Sequence, residues 1–209
     1  MKKLITIALF AAAAFNLKAQ NNYLLTKTGE KVTIIGERLS LDVDYVSFRI
    51  ENKEKKKGYE DVVYKDKKIK MFEFEGRVFM VLPDKKSNNI QEIVCFNDKY
   101  ILTSWYVNGT NYHIKVFDWS FNSVSNLKPL NVGVKNQRKD LEGLVKPYFG
   151  DCTNVMDAMV KNINNESSVG AYKTGDIIIK DINAVKCNNT TKTIQDLIKN
   201  FMSLPEPTK

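Results

Sequence analysis

The run Arg77 to Leu82 restricts the fold more than any other segment of the 209 residues. Alternation sends Val78, Met80 and Leu82 one way and Phe79 and Val81 the other, as successive residues of a strand must point. Both sets are apolar, so both faces need cover and the strand belongs at the centre of a sheet. Lys70 to Phe74 precedes it across Glu75-Gly76, which reads as a hairpin with a tight turn. Pro83 stops it, and Asp84 to Asn89 reads as a polar loop.

The same grammar extends on both sides. Tyr23 to Thr26 and Lys31 to Ile35 flank the turn signal Thr28-Gly29. Leu41 to Ile50 reads as one half-buried strand, with Val46, Phe48 and Ile50 inward and Ser47 and Arg49 outward. Gln91 to Asn97, Tyr100 to Val107 and Tyr112 to Phe121 form a meander joined by Asp98-Lys99 and Asn108-Gly109. Glu51 to Lys70 carries eight Lys and five acids and reads as a solvated loop or hairpin that blunts a sheet edge. Asn122 to Asn136 reads as a polar connection.

Beyond that point the period turns helical. From about Gln137, Leu141, Leu144, Val145 and Tyr148 share a stripe, which Pro147 and Gly150 end or kink. Asp151 is placed to cap a second helix, whose face carries Val155, Met156, Met159, Val160 and Ile163. Ile177 to Ile179 reads as a strand. A last helix spans about Thr193 to Ser203 with Ile194, Leu197, Ile198 and Phe201 inward. The expected class is α+β: an antiparallel β-sheet or flattened barrel with two to three C-terminal helices. The divisions are a leader at 1–19, a β domain at 20–125, a helical segment at 126–204 packing on the sheet, and a loose tail at 205–209.

The leader sets the expected address. Met1-Lys2-Lys3, then the apolar run Leu4 to Phe15, then Asn16 to Ala19, follows the order of a cleavable signal. The run is about 12 residues, against about 20 for a membrane span. No Cys follows Ala19 to carry a lipid, and no later run is long and apolar enough to cross a bilayer. The expected product is exported, periplasmic in the first place and extracellular as the alternative. Removing Lys2, Lys3 and Lys18 takes the formal charge from +8 to +5. Only Arg38, Arg49, Arg77 and Arg138 are arginines; the other cations are Lys, a poor basis for phosphate and base readout. Nucleic acid is therefore not expected as a partner.

Of the three cysteines, Cys95 lies in the apolar Ile93-Val94-Cys95-Phe96 and reads as a buried thiol. Cys152 and Cys187 lie in more polar surroundings and form the candidate disulfide, with three reduced thiols as the alternative. Unstrained, such a bridge is worth roughly 3–4 kcal/mol.

Catalytic patterns are missing from the sequence. His113, the only histidine, shares a strand face with Lys115 and reads as solvent-facing. Asp42 and Asp44 read as surface charge on one strand face, and Asp118 as a hydrogen-bonded strand acid. The glycines do not cluster as a phosphate cradle, no Cys/His spacing suits zinc, and no cofactor is implied. Trp105, Trp119, Tyr106 and Tyr112, with Tyr100 and Phe117, concentrate aromatics in the second meander. They read first as core and second as a ligand surface.

Tyr148-Phe149-Gly150-Asp151-Cys152 resembles a helix–break–helix element, YFxDC followed by Pro, near the C-terminus of uncharacterised exported proteins of Bacteroidota. The leader ending Lys18-Ala19-Gln20 and the front hairpin at Thr28-Gly29 are similar to that group too. Thr153 stands where Pro is usual. The resemblance implies location and architecture and carries no functional residue. The expected function is a non-enzymatic binding or interaction module of the envelope, its partner an envelope protein, glycan or lipid. The alternative is a hydrolase with a dispersed carboxylate site.

Overall fold

The computed structural model describes residues 22–42, 44–83, 88–107, 111–125, 128–130, 134–161 and 187–204. The leader, the Asn108-Gly109 turn, the Ile177 to Ile179 strand and the tail lie outside the described residues.

Ten strands form one antiparallel sheet: β1 (Tyr23–Thr26), β2 (Lys31–Leu41), β3 (Tyr45–Glu51), β4 (Tyr59–Lys65), β5 (Ile69–Phe74), β6 (Arg77–Pro83), β7 (Asn88–Phe96), β8 (Tyr100–Val107), β9 (Asn111–Asp118) and β10 (Lys128–Leu130). Their order is β10-β9-β8-β7-β6-β5-β1-β2-β3-β4. Three helices follow among the described residues: α1 (Val134–Phe149), α2 (Thr153–Lys161) and α3 (Ile194–Met202). The architecture is a curled antiparallel half-barrel with C-terminal helices.

One short connection forces the curl. β4 and β5 are four places apart in the sheet, about 19 Å if it were flat. Only the single 3₁₀ turn Asp66–Lys68 joins them, and Lys65 to Ile69 can span at most about 14 Å. The sheet must bend to bring β4 back toward β5. Backbone bonds fix the bend: Asp66 N–H donates to Asp44 C=O at 2.8 Å, and Lys27 N–H to Lys68 C=O at 3.0 Å. Within the curl, Leu24, Val46, Phe48, Phe72, Phe79 and Ile90 belong to one buried cluster. It joins β3 to β7, five places apart in the order. Phe72 and Phe79 stack at 4.4 Å.

The central hairpin turns as its residues demand. Glu75 (φ 51°) and Gly76 (φ 74°) are both left-handed, the requirement of a two-residue turn that matches strand twist. β6 is covered on both faces: Phe79 and Val81 face the curl, while Val78, Met80 and Leu82 enter a cluster with Leu197 and Phe201 of α3. Arg77 forks onto Glu92, Nε to Oε1 at 2.7 Å and Nη2 to Oε2 at 2.6 Å.

The registers carry each face across the sheet. Phe79, Glu92, Ser104 and Ile114 lie on one line. The curl-facing side therefore continues onto β8 and β9, where Leu102, Ile114 and Val116 meet Leu144, Val145 and Phe149 of α1 and Val155 of α2. α1 and α2 thus cover one face and α3 the other.

Several expectations change. Leu41 to Ile50 is not one strand: Leu41 ends β2, and Asp42 and Asp44 sit in the turn to β3, where Asp42 N–H bonds Tyr45 C=O at 2.9 Å. The charged stretch holds β4, which pairs along its length with β3. The polar connection after Phe121 holds β10, so the sheet runs past residue 125; Pro129, which lacks an N–H, fits this outermost strand. The third strand of the second meander stops at Asp118, whose Oδ1 accepts from Ser120 N–H and Asn122 N–H, both at 2.9 Å. Pro147 lies inside α1, and the helix stops at Phe149. A Cβ on Gly150 would stand 2.6 Å from the Lys146 carbonyl oxygen, so the break needs glycine. α2 begins at Thr153, with Val155 and Met156 N–H groups turning back to Cys152 C=O, so Asp151 falls one place short of the cap.

The curl makes Phe72 a keystone of this core, with no exposed surface. Phe72→Ala should lower the unfolding free energy by roughly 3–5 kcal/mol, as read by urea denaturation. A loss below about 1 kcal/mol would place Phe72 outside a close-packed interior.

Candidate binding cleft at the end of the sheet

The site begins with the turn between β7 and β8. Asn97 closes it on itself: its Oδ1 accepts from Lys99 N–H at 2.9 Å and Tyr100 N–H at 2.7 Å. Asn-type turns of this kind replace backbone partners with the side chain. Asn97 also reaches outward. Its Nδ2 donates to Tyr148 C=O at 2.9 Å, and its own carbonyl accepts from Trp119 Nε1 at 2.9 Å. One nearly buried residue thereby joins β7, the end of α1 and the turn after β9.

Asp98 holds the returning chain. Its Oδ1 accepts from Thr190 Oγ1 at 2.8 Å, Thr191 N–H at 2.8 Å, Thr191 Oγ1 at 3.1 Å and Lys192 N–H at 3.3 Å. These donors, the Thr190 hydroxyl first, hold the carboxyl below the ordinary carboxylate range. Thr193 then caps α3 in a reciprocal box with Asp196, and Asp196 is likewise pulled down, chiefly by the Thr193 hydroxyl. The chain crosses from one face of the sheet to the other here. Cys187 sits in the α1–α2 core, and Leu197 sits under the opposite face.

The break after α1 forms the facing wall. Cys152 and Cys187 are disulfide-bonded, with Cα atoms 5.3 Å apart and a sequence separation of 35. Asn188 Nδ2 donates to Thr153 Oγ1 at 2.9 Å and Asn189 Nδ2 to Asp151 C=O at 3.1 Å. Tyr148 packs edge-on against Tyr100 with ring centres 5.0 Å apart, and its hydroxyl donates to Val124 C=O at 2.8 Å. Between turn and break lies an open cleft of about 430 Å³, lined by Asp98, Lys99 and Tyr100 on one side and Lys146, Pro147 and Asp151 on the other.

The aromatic quartet singled out from sequence does not converge. Trp119 is half-buried beside the cleft's supporting turn. Phe96 meets its ring edge-on at 5.9 Å, the Lys192 ammonium lies over it at 5.2 Å, and Asn200 Nδ2 bonds its carbonyl. Its work is to seat α3. Trp105 pairs with His113, and Tyr106 with Tyr112, near the other end of β8 and β9. That lies about 17 Å along the strand from Tyr100; the side chains of Trp105, Tyr106 and Tyr112 lie outside the described residues. His113 is half-buried, not on an open face, and burial lowers its pKa. Cys95 is the free thiol, and burial pushes its pKa up, away from reactivity. The sequence marks Asp98-Lys99 only as a strand-joining turn, and it carries no local signal for Asn97, Lys146 or Asn189 as site residues.

Among the described residues, no three His, Cys, Asp or Glu side chains gather as a metal would need, and no helix is long and apolar enough to cross a membrane. The fold and cleft define a half-barrel with a helical clasp. No family model, curated protein or solved structure matches the chain.

The lowered carboxyls link the clasp to pH. A depressed pKa stabilises the fold fully above the ordinary value of about 3.9 and loses that contribution as pH falls through the folded value. Acid should therefore loosen residues 190–202 below about pH 4. The Trp119 indole N–H resonance should shift toward its exposed position between pH 4 and 2, with β5 and β6 amides still protected. An indole resonance that holds steady to pH 2 would contradict this role for Asp98 and Asp196.

Proposed function

We propose that the chain is an exported, non-enzymatic binding module of the cell envelope, with its ligand site in the cleft beside the α1–α2 break. The observation that carries the reading is the Cys152–Cys187 bridge, which fastens one wall of the cleft. A disulfide persists in an oxidising compartment, so site and address support one another. The leader from Met1 to Ala19 and the resemblance of Tyr148 to Cys152 to exported proteins of Bacteroidota support the same address. The periplasm suits it best, with the extracellular space as the alternative. Candidate partners are a glycan, a lipid or another envelope protein.

A second reading, a hydrolase, draws on Asp98 and Asp151 lining one cleft. Acid–base work by two carboxyls requires one whose pKa is raised toward neutrality. Asp98 moves the opposite way, and its bonds hold residues 190–192 in place. That favours binding over hydrolysis.

Expressed with its leader in a bacterial host, the chain should leave the cytoplasm, begin at Gln20 by mass, and show one alkylatable thiol after denaturation without reductant. An unprocessed cytoplasmic product with three alkylatable thiols would overturn the reading.

A further inference from the structure

Resting on that reading, we propose that the cleft takes a neutral, polyhydroxylated ligand: the end of a glycan chain. The charges in the cleft balance. Lys99 and Lys146 oppose Asp98 and Asp151, and among the described residues none of the four makes an ion pair with another charge. A lone anion would meet two carboxylates as well as two ammoniums, and a lone cation would meet the reverse. A sugar hydroxyl both donates and accepts, so neighbouring hydroxyls engage ammonium donors and carboxylate acceptors together.

The acceptor side is fixed in advance. All four bonds that hold Asp98 fall on Oδ1, which leaves Oδ2 unengaged among the described residues on a carboxylate that cannot swing away. Fixing a polar group before the ligand arrives lowers the ordering cost of binding. The apolar side is present too. Tyr100, held edge-on by Tyr148 at 5.0 Å, and Pro147 supply C–H and ring surface against which the apolar face of a sugar packs. At about 430 Å³ the cleft is within the usual range for small ligands, about 300–1,000 Å³, and its open side lets a longer chain run out into solvent.

The test is an amide-resonance titration of the purified oxidised chain. The probes are maltohexaose, cellohexaose and chitohexaose, then oligogalacturonate, inorganic phosphate and trialanine. At least one neutral hexaose should shift the amides of residues 97–100 and 146–151. Lys146→Ala and Asp151→Ala, both at exposed positions, should each weaken that binding about tenfold, as the loss of a charge-assisted hydrogen bond predicts, with the remaining spectrum unchanged. Shifts at these amides from oligogalacturonate, phosphate or trialanine alone would overturn the neutral-glycan assignment and leave the binding cleft standing. No shift there from any probe would overturn the cleft as a binding site as well. A hexaose that binds elsewhere would overturn the assignment.

Discussion

The turn Asn97-Asp98 is the post around which the C-terminal third is wound. Asn97 takes the Trp119 indole and gives to the Tyr148 carbonyl, while Asp98 gathers four donors from residues 190–192. Through these bonds two residues tie a sheet end, the end of α1 and the entry to α3. The returning chain must pass from the α1–α2 face to the α3 face, and it does so against this turn. The cleft is the space left between the post and the break it holds.

The sheet supplies the rigid base. A three-residue link between distant strands bends β1 to β5 into a half-barrel filled by Phe48, Phe72 and Phe79. The opposite side of β5 to β9 is left for α3, whose Leu197 and Phe201 complete the second core. Asp118 contributes at the seam. By accepting from Ser120 and Asn122 it closes a turn in which Phe121 takes a left-handed conformation (φ 59°) and meets Phe201 at 5.3 Å. A non-glycine residue holds such a conformation only where packing compensates, and the ring contact provides that packing.

Much of this fold is legible in the residues. Alternation and Gly29 locate the first hairpin, Glu75-Gly76 the central one, and the Thr193…Asp196 box with its apolar stripe the last helix. Local chemistry decides each of those. What is not legible is decided at a distance. Leu41 to Asp44 and Val46 to Ile50 each alternate, so the run passes for one strand, although the phase slips between Tyr45 and Val46 where the turn has reset it. β10 hides behind Pro129, since an outermost strand tolerates a residue that central strands reject. The curl is set by the length of one link measured against a strand order that single-sequence reading does not supply. The cleft is the extreme case: Asp98 and Thr190 stand 92 residues apart, and nothing local to either announces the other. The aromatic quartet drew attention by composition, but two ends of one strand separate its members.

The Asn97-Asp98 turn holds α3 and the returning chain on the sheet. Hydrogen exchange of a combined Asn97→Ala and Asp98→Ala variant tests that hold most directly. Amides of residues 194–202 should exchange at least about tenfold faster, while β5 and β6 amides keep their protection, because local opening is decoupled from global unfolding. Unchanged protection of 194–202 in that variant would contradict it.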